Sequence, residues 1–400
     1  MQNTTWLNIS GCPRSGTTAL GAELNKSAAI SLLHEHLPRD FFGSLDSLFN
    51  NEKIHASLGA EEELFQSIFC ANRDYLPITR SIFSTLFKKT SQVIGTKCPN
   101  LHKYDTGQYP SGLQKKQIHI TRHPVAVVNS YVSKKDEVCV DDPERSFCDW
   151  LTSLNYAIEN YQSPDFLCLL YESFDGKSNY EQAKKIASFL SIEPDFDLGG
   201  LIASEKTPAP KFMTHPSGAR VVVAMNNLFD LENWTKCYRD IMSKGRMVGY
   251  PIATAASISL ESQSDGWKYV QRGFYPAEEQ GSWTSGAESV LCFTPEEAFS
   301  GSLNVTINAS WLIEFNDEPT SFHVYLDDTL VGSSSLLVGK SNGNANIFVF
   351  SVHDFEQVSP SVTLRIVIDN PRNPSQFGIS SDSRNLGLMV RGISVSQSSK

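Results

Sequence analysis

The chain has eight cysteines in 400 residues, yet no CxxC pair and no cysteine–histidine spacing of the kind that holds zinc. That excludes a zinc-ribbon scaffold and a bridged secreted one, and it points to a reducing, cytoplasmic setting without a structural metal. No apolar run is long enough to cross a bilayer. No leader is read at the start, because strand-forming residues begin within a few positions of Met1. A polybasic stretch is missing too. The formal net charge is −10, and most of the excess acid is C-terminal: residues 256–400 hold 16 acidic side chains against 8 basic ones, residues 1–255 hold 28 against 26. Charge therefore excludes a nucleic-acid binder, and any bound anion must be met by a few local cations.

One more absence is the most informative. Gly11-x-x-x-x-Gly16 has the spacing of a phosphate-cradling loop, but Thr17 stands where nucleoside triphosphatases carry lysine. A β-rich run over 6–10 leads into the loop and an apolar run over 19–24 leaves it. A strand–glycine loop–helix unit aims backbone N–H groups and a positive helix end at one point. The cation is Arg14, inside the loop. The pattern predicts an anion cradle of a kind other than that of an ordinary kinase or ATPase.

Short strands are expected over 30–33, 93–95, 117–121 and 166–170, with helices after Pro124 and over 180–190, and mostly helical structure over 40–90. Strands alternating with helices imply an α/β fold with a parallel sheet covered on both faces in three layers. In such sheets ligands bind beyond the carboxyl ends of the strands, where each polar motif here falls. A Ser/Ala-rich stretch over 254–265 then changes the character of the chain. Beyond it, β-rich runs over 289–293, 303–307, 322–326, 347–352, 362–368 and 389–395 predict an all-β antiparallel sandwich. The expected division is a nucleotide-binding domain over 1–255 and an accessory domain over 265–400.

With these motifs in order, the first part resembles the sulfotransferases that use 3′-phosphoadenosine-5′-phosphosulfate (PAPS). Pro13-Arg14-Ser15-Gly16-Thr17-Thr18 is similar to their 5′-phosphosulfate loop. Thr121-Arg122-His123-Pro124, running on to Asn129-Ser130-Tyr131, resembles their 3′-phosphate motif. Leu170-Tyr171-Glu172-Ser173-Phe174, followed by Ala187-Ser188-Phe189-Leu190, is similar to a further family segment, and Gly249-Tyr250 to its usual end. The likeness covers roughly 5–250 and is nearer to the bacterial and Golgi-type enzymes than to the cytosolic ones, which have Lys where Arg14 stands.

The resemblance implies a P-loop-like fold, PAPS as cofactor and adenosine 3′,5′-bisphosphate as product. It assigns cofactor binding to Arg14, Ser15, Gly16, Thr17, Thr18, Arg122, Ser130 and Tyr171, the last against adenine. It also assigns catalysis to Arg14, Lys97 and Glu35. Glu35 is the expected general base, with His34 and His36 as competitors. His119 alternates along its strand and is expected in the core. The acceptor is a hydroxyl compound, expected to be a carbohydrate. A nucleotide-dependent kinase and a non-catalytic glycan-binding protein are the competing readings. The C-terminal part faintly resembles β-sandwich modules of polysaccharide-pathway enzymes, in which Trp267, Tyr275 and Trp283 would stack on sugars. A packing or oligomerisation role is the equal alternative.

Overall fold

The computed structural model describes residues 4–34, 91–99, 114–133, 142–203, 208–253, 257–311, 320–336, 346–378 and 380–397. It divides into two compact units, Met1–Gly245 and Arg246–Lys400. The helical structure expected over 40–90 lies outside the described residues.

The first unit is an α/β sheet flanked by helices. Its strands are β1 (Thr5–Ser10), β2 (Ile30–His34), β3 (Val93–Lys97), β4 (Gln114–Thr121) and β5 (Phe166–Leu170). They run parallel in the order β2-β3-β1-β4-β5. Every residue of β1 is buried, as a central strand covered on both faces requires. Its one buried amide, Asn8, accepts a bond from the Trp6 indole at 2.7 Å. From β1 the chain crosses to the edge strand β2, steps back to β3 beside β1, and then passes to the other side of β1 at β4. The loop after β1 thus sits at the reversal point, where parallel sheets open a crevice.

Helix α1 (Thr17–Leu24) follows that loop, α2 (Pro124–Ser133) follows β4, and α4 (Asn179–Leu190) follows β5. Leu20 and Leu24 of α1 and Ala183, Ile186 and Leu190 of α4 share one core with Leu7, Ile9, Ile118 and Ile120 of the sheet. Three helices join those expected: α3 (Pro143–Asn160), α5 (Gly218–Leu228) and α6 (Trp234–Lys244). Asp142 caps α3 by accepting from the Glu144 N–H, with proline at the first turn.

The second unit is a β-sandwich of two sheets. One has the order β13-β12-β15-β10-β6 with β8 beside β10, the other β14-β11-β16-β7 with β9 beside β16. The strands are β6 (Tyr250–Ile252), β7 (Ser257–Ser259), β8 (Val270–Arg272), β9 (Ser282–Ser285), β10 (Glu288–Pro295), β11 (Ser300–Trp311), β12 (Thr320–Leu326), β13 (Thr329–Leu336), β14 (Asn346–Glu356), β15 (Val362–Ile368) and β16 (Leu386–Gln397). Inward residues such as Leu291, Val305, Phe322, Ile366 and Val390 form its core.

Two details differ from the sequence expectation. The chain enters the second unit before 254–265, because Tyr250 and Ile252 pair in parallel with Phe293 and Pro295, and Ile258 pairs with Ile393. Trp283 is not an open sugar platform. It is buried, on a strand whose Trp283 pairs with Met389. Tyr275 is half-buried under the Arg384 guanidinium, 5.1 Å above its ring, and Trp267 alone of the three is exposed. Among the described residues no helix is long and apolar enough to cross a membrane.

Candidate functional site

The loop that follows β1 is shaped by close approach. Gly11 has φ +155°, and a Cβ there would lie 2.4 Å from the Ile120 carbonyl oxygen. Gly16 has φ +101°, and a Cβ there would lie 2.5 Å from the Tyr171 ring. Between them Arg14 holds φ +72°, a left-handed conformation that costs a non-glycine residue about 1–3 kcal/mol. The loop is anchored below: Gly11 N–H donates to the Pro99 carbonyl at 3.2 Å, and Cys98 N–H to the Ile9 carbonyl at 2.9 Å.

Several polar side chains of the loop and of the neighbouring strand end are buried. Ser15 is fully buried, and its hydroxyl oxygen has no hydrogen-bond partner. A buried orphan hydroxyl in a glycine loop, at the start of a helix, fits an anion that accepts its proton. Thr17 is buried and Thr18 exposed. Lys97, at the end of β3, is 1% exposed. β2 ends at His34, in register with Lys97. Glu35 and His36 lie outside the described residues.

The 3′-side residues meet the loop directly. Arg14 Nε donates to Ser130 Oγ on α2 at 2.9 Å. An Arg122 terminal nitrogen donates to the Arg14 carbonyl at 3.3 Å, and the Arg122 guanidinium lies 4.4 Å above the Tyr171 ring. Arg14, Gly16, Arg122, Ser130 and Tyr171 thus form one cluster. Arg14 is turned toward Ser130.

The turn that carries Arg122 is held by partners the sequence did not single out. The Trp150 indole donates to the Arg122 carbonyl at 2.8 Å, and His123 N–H donates to Glu172 Oε1 at 2.9 Å. His123 Nδ1 accepts from Val125 N–H and Nε2 donates to the Leu231 carbonyl, which requires the neutral ring. Burial lowers its pKa, with the Leu231 carbonyl opposing and the Arg122 charge assisting. Glu172 moves the other way: burial raises its pKa, against the His123 N–H, the Arg122 charge and the Trp234 indole. His119 is in the core, as expected. It bonds Ser10 Oγ at 2.9 Å and Ser153 Oγ at 3.2 Å, and burial lowers its pKa to about 3.

A cleft of about 880 Å³ opens on this side, with Arg122, Ser130, Tyr171 and Glu172 in its wall. Lys211, Lys236 and Arg239 complete a cationic lining that the sequence reading missed. Asn129 brings Lys211 there by donating to the Ala209 carbonyl at 2.9 Å and accepting the Lys211 N–H at 2.7 Å. Among the described residues no cluster of histidine, cysteine and carboxylate side chains fits a metal ion.

No protein-family model matches the chain. No curated protein matches it either. Solved structures similar to parts of it include the sulfotransferase domain from the Synechococcus PCC 7002 olefin synthase, 16% identical with a TM-score of 0.33 over 61% of this chain and 95% of that one. Mouse sulfotransferase complexed with PAP is 15% identical, with a TM-score of 0.31 over 60% and 90%. The C-terminal CBM6 of LamC, a marine laminarinase from Zobellia galactanivorans, is 16% identical, with a TM-score of 0.22 over 36% and 100%. At this degree of likeness no activity or ligand passes from those proteins to this one.

Proposed function

We propose that this chain is a PAPS-dependent sulfotransferase acting on a hydroxyl of a glycan-containing acceptor. The observation that carries the reading is the link from the glycine loop to the strand-end cation: Arg14 bonds Ser130, and Arg122 bonds the Arg14 carbonyl. A ligand with anionic groups at two ends needs two such sites at a fixed separation.

The roles follow from the residue chemistry. The loop N–H groups with the Ser15, Thr17 and Thr18 hydroxyls hold the 5′ end. Arg122 offers a fork of donors to the 3′-phosphate, Ser130 offers its hydroxyl proton, and Tyr171 lies beside the adenine. PAPS supplies an activated sulfuryl group and leaves as adenosine 3′,5′-bisphosphate. Arg14 and the buried Lys97 provide the positive charge that meets negative charge developing on the leaving oxygen, as a magnesium ion does in a kinase. Glu35 takes the acceptor proton. A reducing, cytoplasmic compartment belongs to the same proposal and rests on the cysteine spacing. The sandwich is proposed to hold sugar, with exposed Trp267 as its first candidate contact.

The test is transfer of labelled sulfuryl from PAPS to a glycan panel, with calorimetry on adenosine 3′,5′-bisphosphate and AMP. The protein should prefer the bisphosphate by roughly tenfold or more, because a charge-assisted contact is worth about 1.5–3 kcal/mol, and Arg122→Ala should erase the preference. Magnesium-dependent ATP turnover without sulfuryl transfer would instead make the chain a kinase. Glycan binding without turnover of any donor would make it a binding protein.

A further inference from the structure

Glu172 belongs to the Tyr171-Glu172-Ser173 motif but has no part in the roles above. It sits on the single 3-10 turn after β5, and its Oε1 accepts the His123 N–H at 2.9 Å. Its other oxygen is fully covered and makes no well-formed hydrogen bond. The Trp234 Nε1 is in the same position, and the two are near enough for the indole N–H to favour the charged carboxylate. In the same turn the Arg122 carbonyl accepts from the Trp150 indole, and the His123 ring accepts from the Val125 N–H and donates to the Leu231 carbonyl. The His123 N–H has Glu172 as its partner. Remove that acceptor and a buried donor is left open immediately beside Arg122.

We infer that Glu172 is a positioning residue: as an acceptor for the His123 N–H, it fixes the turn that aims Arg122 into the cleft. The inference rests on the functional reading above for the identity of the anion. Its direction is distinctive. A carboxylate beside an anion site repels the anion, so a role through charge alone predicts tighter binding when Glu172 is replaced. A role through position predicts weaker binding when the acceptor is lost, and recovery when a neutral acceptor replaces it.

The experiment is calorimetry on Glu172→Ala and Glu172→Gln with adenosine 3′,5′-bisphosphate, AMP and inorganic sulfate, with thermal unfolding alongside. Glu172→Ala should bind the bisphosphate about tenfold more weakly, as an unpaired buried donor implies, with AMP affinity unchanged. Glu172→Gln should bind it as tightly as wild type or more tightly. Wild-type affinity in Glu172→Ala, or an equal loss for both nucleotides, overturns the inference. So does a Glu172→Gln as weak as Glu172→Ala. If wild-type protein binds neither nucleotide, the functional reading fails and sulfate decides the positioning role. Sulfate affinity must then fall in Glu172→Ala and return in Glu172→Gln, and equal or undetectable sulfate binding in all three overturns it.

Discussion

Arg14 Nε donates to Ser130 Oγ at 2.9 Å, across 116 positions of sequence. The bond joins the loop after β1 to the helix after β4 and leaves the serine proton free for a ligand. Ser130→Ala removes the acceptor for Arg14 and a donor for the ligand together. Bisphosphate affinity should drop by roughly tenfold. Thermal unfolding should barely change, since both residues are only half-buried. Calorimetry and a melting curve check the two halves separately, and a large loss of stability would mean the bond is structural.

Gly16 tests the fit of Tyr171 against the loop. A Cβ at Gly16 would overlap the Tyr171 ring and would also have to adopt φ +101°. Gly16→Ala should lower unfolding stability by about 1–3 kcal/mol in chemical denaturation. Gly16→Ala combined with Tyr171→Ala should recover the part due to overlap. If the double variant shows simple addition of the two losses, backbone strain alone is responsible.

His119 gives a pH dependence with a definite sign. Its folded pKa is about 3 against 6.5 for the free side chain, so the unfolded chain binds the proton more readily. Its contribution to stability is complete above about pH 6.5 and is lost as pH falls toward 3, at up to about 1.4 kcal/mol per pH unit. His119→Gln should flatten the fall in unfolding free energy between pH 6.5 and 4. Identical slopes would show that the ring is reached by solvent.

Glu35 is the proposed base, and the variant that keeps its shape is glutamine. Glu35→Gln should cut turnover by about 10²–10⁴-fold and leave bisphosphate binding nearly unchanged. His34→Ala and His36→Ala should do less. Full turnover in Glu35→Gln with collapse in either histidine variant transfers the role.

The strands of the first unit were legible because each is a short apolar run ending in a polar motif, and the loop because Gly11 and Gly16 are required by contact. The core place of His119 followed from alternation along β4. Helix α6 carried a readable signal in the spacing of Trp234, Tyr238 and Met242, all buried. Lys236 and Arg239 stand three apart on α6, but Lys211 reaches the cleft from a separate 3-10 turn, so the sequence did not show the three as a group. The bond from His123 N–H to Glu172 is likewise tertiary. Trp283 misled for a simpler reason: a strand shows which residues share a face but not which face is covered.

The pairing of Tyr250 with Phe293 bears on how such a module is inherited. A recombination joint placed in the serine-rich stretch would split the sandwich from its own edge strand. It would leave Tyr250 and Ile252, both buried in the intact protein, on the wrong fragment and expose a length of β10 as an open edge, the kind of surface that seeds aggregation. Exchange of the sandwich as a heritable unit therefore requires the joint to fall before Tyr250.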